Sequence, residues 1–357
     1  MSTSARPELL ILGGLPASGK STAAKAWLAE DPDGRVRVNW DDLRAGMFGP
    51  NWIFNRREEE QMKAQSISIV EKALMAGLSV VVDNTNLAQS ARNIWKALGQ
   101  KYYATLIEQE IDTDPDECVR RDRLRPTGSR VGQAVIDNMA IRYGLLDWNN
   151  CNCDGDACTL RQSLVNGHAP GCRAIRPIAI VDLDGTVADC TARMHYITRK
   201  CLKCQRVKAQ DTQICQRPVR DGEPVMCGGE FSKKDWSAFF REVANDTPLE
   251  GVRRLVNHLA TDHTIVILSG RPINDRDIKV GILTEDWLLK HDIHFDRMLL
   301  KPLGSHTHGE IWKQEAIDYL PRERAKFVFD DHGTCCDMYR RELPHATVLQ
   351  VGSSNFS

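Results

Sequence analysis

With 357 residues, 42% of them hydrophobic and 27% charged, the chain is long enough for two domains with separate cores. Its formal net charge of −1 excludes a global field that draws in polyanions, so any nucleic-acid contact must come from local basic patches. No apolar stretch approaches the ~20 residues that span a bilayer, and the N-terminus lacks a signal-peptide pattern. These features predict a cytoplasmic protein with no membrane partner, whose twelve cysteines serve as thiols or metal ligands rather than disulfides.

Taken in order, residues 9–13 read as a short buried strand and 20–30 as the helix behind a Gly-containing loop. A strand at 36–40, a helix at 58–76 and a Val-rich strand at 79–83 follow. Next come a helix at 89–101, a strand at 104–111 and helices at 115–124 and 135–148. This alternation predicts a parallel sheet covered on both faces over residues 1–150. Polar, turn-forming residues 149–156 break the pattern, and 151–176 is read as a Cys-rich linker. A second alternation fills 177–357: strands at 177–182, 264–268, 297–300, 326–329 and 347–351, and helices at 249–259, 275–290, 310–319 and 335–343. An irregular Cys-rich insertion interrupts it at about 195–235. The expected fold is therefore α/β: two doubly wound parallel-sheet domains with a small Cys-rich cap.

The first chemical signal is Gly14-Leu15-Pro16-Ala17-Ser18-Gly19-Lys20-Ser21. Gly14 and Gly19 let the backbone curl, so that N–H groups around Ser18, Gly19 and Thr22 face phosphate oxygens. Lys20 adds charge toward the β- and γ-phosphates and Ser21 offers a hydroxyl to Mg²⁺, which makes ATP the expected phosphoryl donor. Asp41, Asp42 and Arg44 fall just past the second strand, where one carboxylate can take a hydroxyl proton and the guanidinium can hold an acceptor phosphate. The same residues also suit a helix N-terminus, with an aspartate as its cap. Arg120, Arg121, Arg123 and Arg125 precede the flexible 126–130 and read either as a solvated helix face or as a lid over the triphosphate.

These segments, with Asp83-Asn84-Thr85-Asn86-Leu87, resemble the P-loop kinase half of the bacteriophage polynucleotide 5′-kinase/3′-phosphatases. The resemblance implies that Asp41 is the general base for a 5′-hydroxyl, that Arg44 contacts the acceptor's 3′-phosphate and that Arg125, or else Arg123, is the lid arginine.

The second signal, Asp182-Leu183-Asp184-Gly185-Thr186 at a strand end, is of the haloacid-dehalogenase type. The first carboxylate attacks phosphorus, while the second protonates the leaving oxygen and later activates water. Two phosphate-facing carboxylates need Mg²⁺ to offset their repulsion, and Asp330-Asp331 at a later strand end completes that metal site. Ser269 and Arg271, again at a strand end, are placed to meet the phosphate. The phage resemblance extends here, in the same kinase-then-phosphatase order. It implies Arg193 as a phosphatase arginine and Lys313 as the charge partner of the nucleophile, with Lys301 the alternative found in other haloacid dehalogenases.

Cys201-Leu202-Lys203-Cys204 followed by Cys215 and Cys227 departs from the phage pattern and supplies four thiolates for a structural Zn²⁺, although the second pair lacks CxxC spacing. Cys151, Cys153, Cys158 and Cys172, with His168, form a second possible set in the linker. Cys335 and Cys336 read as core, and His306 and His308 as loop residues without a supported ligand role.

Together these features predict a bifunctional end-healing enzyme. It phosphorylates 5′-hydroxyl ends and removes 3′-phosphate or 2′,3′-cyclic phosphate from single-stranded or nicked RNA or DNA, in partnership with a ligase. A kinase–phosphatase pair for a small metabolite is the nearest rival, and a zinc-stabilised nucleic-acid-binding protein with vestigial catalytic domains is a third. The sequence sets neither RNA against DNA nor an oligomeric state.

Overall fold

The run Leu9–Leu12 has no polar face, so a strand made from it must be covered on both sides. A computed structural model describes residues 6–49, 55–146, 148, 175–208, 214–215, 227–305 and 307–352, and divides the chain into two units, Met1–Asp147 and Trp148–Ser357. The linker cysteines 151, 153, 158 and 172, His168 and His306 lie outside the described residues.

In the first unit, β1 (Glu8–Gly13) sits inside a parallel sheet of order β2-β3-β1-β4, with β2 at Arg35–Val38, β3 at Ser79–Asp83 and β4 at Thr105–Glu110. Its side chains alternate between two cores. Leu9 and Ile11 join Val80, Val82 and Trp95 on one face, while Leu10 and Leu12 join Val81 and Ala24 on the other. The helices are α1 (Lys20–Glu30), α2 (Trp40–Phe48), α3 (Arg56–Met75), α4 (Gln89–Lys101), α5 (Pro115–Arg123) and α6 (Gln133–Arg142).

One element differs from the sequence reading. Trp40 was expected to end a strand, but β2 stops at Val38 and Trp40 opens α2. The cap is neither aspartate. The Asn39 side chain accepts from the Asp42 N–H, which leaves Asp41 and Asp42 in the first turn, where negative charge suits the helix dipole. The last helix of this unit also stops early, at Arg142 rather than 148.

The second unit holds a five-stranded parallel sheet of order β11-β10-β5-β8-β9. Its strands are β5 (Ile178–Val181), β8 (Thr264–Pro272), β9 (Arg297–Lys301), β10 (Ala325–Asp330) and β11 (Thr347–Gln350). A two-stranded antiparallel ribbon pairs β6 (Ala188–Asp189) with β7 (Thr247–Pro248) and closes the base of the Cys-rich insertion. The helices are α7 (Trp236–Arg241), α8 (Glu250–Leu259), α9 (Val280–Lys290), α10 (Gly309–Ile317) and α11 (Gly333–Glu342). Strand β8 continues past the expected end at Leu268 through Ser269 and Arg271, with a register shift between Ser269 and Pro272. Helix α7 and the ribbon were missed because each is too short to show a period. Among the described residues no helix is long and apolar enough to cross a membrane.

Candidate active sites

In the first unit the phosphate loop follows β1 directly. Gly14 has φ +144°, and a Cβ there would lie 2.7 Å from the Ile111 carbonyl oxygen, so no other residue fits. Gly19, at φ +109°, starts α1. Lys20 is buried and donates to the Leu15 carbonyl at 2.5 Å, within 3.4 Å of Ser18 Oγ, so its ammonium holds the curl of the loop. Burial pulls its pKa down to about 8, against the opposing charge of Asp83. Ser21 and Thr22 are exposed at the helix start. Thr113 Oγ1 (2.8 Å) and Arg121 (3.1 Å) both donate to the Ser18 carbonyl.

The segment 83–86 is the frame of this site. Asp83 binds Arg37 through one oxygen, while its buried Oδ1 has no hydrogen-bond partner. The Asp83 carbonyl accepts from Asn39 at 2.6 Å and Asn84 Oδ1 accepts from the Trp40 N–H at 2.9 Å, which together tie the start of α2 to the end of β3. The Thr85 carbonyl accepts from the Gly14 N–H, and Asn86 donates to the Leu12 carbonyl. Four successive residues thus hold the loop, the sheet and α2 in one register. The buried, unpartnered Asp83 oxygen beside a lysine and an exposed serine fits a nucleotide–Mg²⁺ site.

Arg44 is clamped by Glu59 of α3, with Nε–Oε2 and Nη2–Oε1 both at 2.9 Å, and it donates to Asp41 at 2.6 Å. Asp41 itself is exposed. Sequence reasoning missed Glu59, since nothing in a charged helix start marks one acid as a clamp. Of the four clustered arginines, Arg120 and Arg121 share Glu117, Arg123 donates to Gln133 and Arg125 pairs with Asp122. The Arg125 charge also bears on Lys20, and Arg121 touches the loop. Buried Asp122 anchors the segment that follows by accepting from the Val131 and Gly132 N–H groups.

In the second unit, the ends of β5, β8 and β10 converge. Asp182, Asp330 and Asp331 offer oxygens that lie within 4.8 Å of one another, all buried. Lys313 of α10 lies 3.1 Å from Asp182 and 2.6 Å from Asp330. Lys301 is half-buried at the end of β9 and pairs with no carboxylate among the described residues, so the geometry favours Lys313. Burial raises Asp182 to about 7, with Lys313 opposing and Asp330 and Asp331 reinforcing the shift. Asp331 likewise rises to about 7, through burial and then Asp330. Three buried carboxylates share one ammonium, and Asp182 Oδ1 has no hydrogen bond beside its 3.1 Å ion-pair contact with Lys313. That donor set fits a hard divalent cation such as Mg²⁺. A Cβ at Gly185 (φ +79°) would lie 2.4 Å from Asp331 Oδ2, which explains the glycine in the motif.

Asp184 departs from the expected metal set. Its carboxylate is taken by Arg193 and by Arg271, whose Nε lies 3.0 Å from both oxygens. Burial alone would raise its pKa, but Arg271 and Arg193 outweigh that and hold it well below the usual carboxylate range. Asp246, unforeseen in the sequence, completes the cluster: it accepts from Arg193 at 2.6 Å through both oxygens and from Arg271 at 3.2 Å. Arg193 is further fixed by Phe239 of α7, its guanidinium 3.9 Å from the ring centroid, and Arg271 by Thr284 at 3.1 Å. The Thr186 hydroxyl is buried without a partner, and the Ser269 carbonyl accepts from Trp312.

In the cap, Cys201, Cys204, Cys215 and Cys227 converge within 4.8 Å. The sulfur pairs 201–227 and 204–215 lie 3.5 and 3.8 Å apart, close to the ~3.8 Å separation in a tetrahedral zinc thiolate with Zn–S bonds of about 2.3 Å. The missing CxxC in the second pair is made good by an antiparallel closure: the Cys215 N–H donates to the Gly229 carbonyl and Gly228 donates back to Cys215. The Cys204 N–H bonds the Cys201 sulfur and helps hold that thiol at about 6. A Cβ at Gly229 would lie 2.7 Å from the Cys201 sulfur, so the cradle admits only glycine. Cys335 and Cys336 are buried on α11, as core residues.

Residues 9–146 match the AAA domain family, and residues 232–356 match the phosphatase domain of the polynucleotide kinase PNKP. The second match begins beyond the cysteine cluster and does not include the strand that bears Asp182. A putative bifunctional polynucleotide kinase/RNA ligase of Autographa californica nuclear polyhedrosis virus is 24% identical over 96% of this chain and 42% of its own length. A putative bifunctional polynucleotide phosphatase/kinase of Acanthamoeba polyphaga mimivirus is 29% identical over 32% of this chain and 23% of its own length. The chain thus spans less than half of these curated relatives. A solved Pnkp1/Rnl/Hen1 complex contains a chain 22% identical, with 98% of each covered and a TM-score of 0.32. The chain thus carries a region similar to the AAA domain followed by a region similar to the phosphatase domain of the polynucleotide kinase PNKP.

Proposed function

We propose that this chain heals broken nucleic-acid ends, transferring the γ-phosphate of ATP to a 5′-hydroxyl in its first unit and removing a 3′-phosphate or 2′,3′-cyclic phosphate in its second. The observation that carries the reading is the presence of both constellations, Lys20 with Asp41 and Arg44, and Asp182 with Lys313, Asp330 and Asp331. The names of the two viral relatives support a polynucleotide as substrate over a small metabolite. A ligase is the expected partner and a reducing cytoplasm the expected setting.

In the kinase reaction Asp41 takes the 5′-hydroxyl proton, the oxygen bonds to the γ-phosphorus and ADP leaves, while Lys20 and Arg125 balance the charge that spreads over the transferred group. Arg44 holds the 3′-phosphate of the acceptor nucleotide and Glu59 sets its angle. Glu59→Gln is expected to raise KM for the acceptor strand by about tenfold and to leave KM for ATP unchanged, since the guanidinium keeps its charge and loses one side of its clamp. Equal effects on both constants in steady-state kinetics would remove Arg44 from acceptor binding.

In the phosphatase reaction Asp182 attacks phosphorus and the leaving oxygen takes a proton from Asp184. Water then cleaves the aspartyl phosphate. Asp182, Asp330 and Asp331 would hold Mg²⁺, which would supply charge neutralisation when bound. Asp184 is ionised while both arginines bind it, so the arriving phosphate has a second task. It draws Arg193 and Arg271 onto its own oxygens, after which the buried Asp184 carboxyl rises and can carry a proton. Cys201, Cys204, Cys215 and Cys227 would hold Zn²⁺ as thiolates, which would tie the cap together.

A paired assay on 5′-hydroxyl and 3′-phosphate oligonucleotides tests the assignment. Asp182→Asn should abolish dephosphorylation with the kinase intact, and Lys20→Ala the reverse. Retained dephosphorylation in Asp182→Asn would refute the covalent mechanism.

A further inference from the structure

The cap carries charge that neither catalytic site uses. Residues 199–208 hold Arg199, Lys200, Lys203, Arg206 and Lys208 and no acid, in a chain whose net charge is −1. Several arginines elsewhere are neutralised locally: Arg120 by Glu117, Arg253 and Arg254 by Glu250, Arg340 by Asp337. In the cap, Lys200, Lys203, Arg206, Lys233 and Lys234 are exposed, and none of them forms an ion pair among the described residues. Trp236 is 43% exposed, with the Lys234 ammonium 5.4 Å from its ring centroid, and Ser232, just before Lys233, bonds the backbone of Lys200 in both directions.

This face is continuous with the phosphatase site. The Asp235 N–H donates to the Tyr196 carbonyl, joining α7 to the turn that bears Arg193. Trp236 packs on Phe239 and Phe240 at 5.5 and 5.8 Å, and the Phe239 ring lies against Arg193. An exposed aromatic among unpaired cations offers stacking and phosphate contacts together, the pairing that suits single-stranded nucleic acid.

We propose that Lys200, Lys203, Arg206, Lys233, Lys234 and Trp236 grip the single strand upstream of the 3′-phosphate and feed its end to Asp182. The grip rests on the 3′-phosphatase reading above. It makes the cap the source of polynucleotide preference, where Asp182 and its neighbours recognise only the terminal phosphate.

The test measures kcat/KM of the full-length chain on a 3′-phosphorylated oligonucleotide and on a 3′-phosphorylated mononucleotide. In Lys203→Glu/Arg206→Glu and in Lys233→Glu/Lys234→Glu, the oligonucleotide-over-mononucleotide preference is expected to fall at least about tenfold through KM, and the salt dependence to lose a slope of about 1.4 for two lost phosphate contacts. A variant that melts with the parent chain is folded, and its preference decides the matter. A wild type without any such preference removes the polynucleotide reading and the grip together. A wild-type preference that survives both charge reversals overturns the grip alone and leaves the face to an acidic protein partner.

Discussion

Lys313→Met is expected to lower dephosphorylation by about a hundred- to a thousandfold, as when one preorganised donor to a reacting group is lost, and to leave 5′-phosphorylation within about twofold. Lys313 is 4% exposed and is the sole cation against Asp182 and Asp330 among the described residues. Burial lowers its pKa, but Asp182 and Asp330 outweigh that and hold it well above its ordinary value. Its contribution to stability is therefore fully present at neutral pH and is lost only as pH rises through that elevated pKa. Methionine preserves the stem and deletes the charge, leaving three buried carboxylates uncompensated. A broken buried pair of this kind costs about 3–5 kcal/mol, read as a lower melting temperature for the second unit. Millimolar Mg²⁺ is expected to recover part of that stability, because the same carboxylates bind it, and to recover little activity. Lys313→Arg separates the two effects: charge returns, but a planar guanidinium cannot place one donor between two carboxylates in the space of an ammonium. Full activity in Lys313→Met would return the charge-balancing role to Lys301.

Much of this was legible in the sequence because phosphate chemistry imposes local rules. A loop that points N–H groups inward needs glycine at fixed places, and Gly14 and Gly19 announce it; a strand-end aspartate followed by Gly185 does the same. Short apolar runs bounded by turn residues, such as 9–12 before Gly13-Gly14, mark fully covered strands. The groups that position the reactive side chains left no such mark. Asp246 lies 53 residues from Arg193 and Glu59 lies 15 from Arg44, and each is one acid among 48 Asp and Glu residues until the fold brings the partners together. The sequence reading puts an aspartate at the cap of α2, but Asn39 Oδ1 accepts from the Asp42 N–H, with the amide held by its bond to the Asp83 carbonyl, a partner 44 residues away. Asp184 was assigned to the metal from its spacing, while its surroundings give it to two arginines.

The second large effect is expected from removing the zinc that Cys201, Cys204, Cys215 and Cys227 would hold. Among the described residues of the cap, the buried cluster is Cys201, Cys215, Cys227 and Phe231, with Cys204 packed against them. A segment of this size cannot support itself by hydrophobic burial, and zinc contributes about 10–16 kcal/mol to folding in small thiolate modules at neutral pH. Purified protein is expected to hold about one zinc per chain, as one four-thiolate site requires. Cys201→Ser or a strong chelator should release it and unfold the cap. The consequence reaches the phosphatase through α7, since Phe239 stacks on Arg193 and Arg193 sets Asp184. Dephosphorylation of even a 3′-mononucleotide should therefore fall by about ten- to a hundredfold, the range seen when the support of a functional ligand is lost. Phosphorylation of 5′-hydroxyl ends should persist, because every residue assigned to it lies in the first unit. Metal analysis with the two assays on one preparation decides the question: a chain that is zinc-free as purified yet fully active as a phosphatase would reduce the four cysteines to a buried thiol cluster.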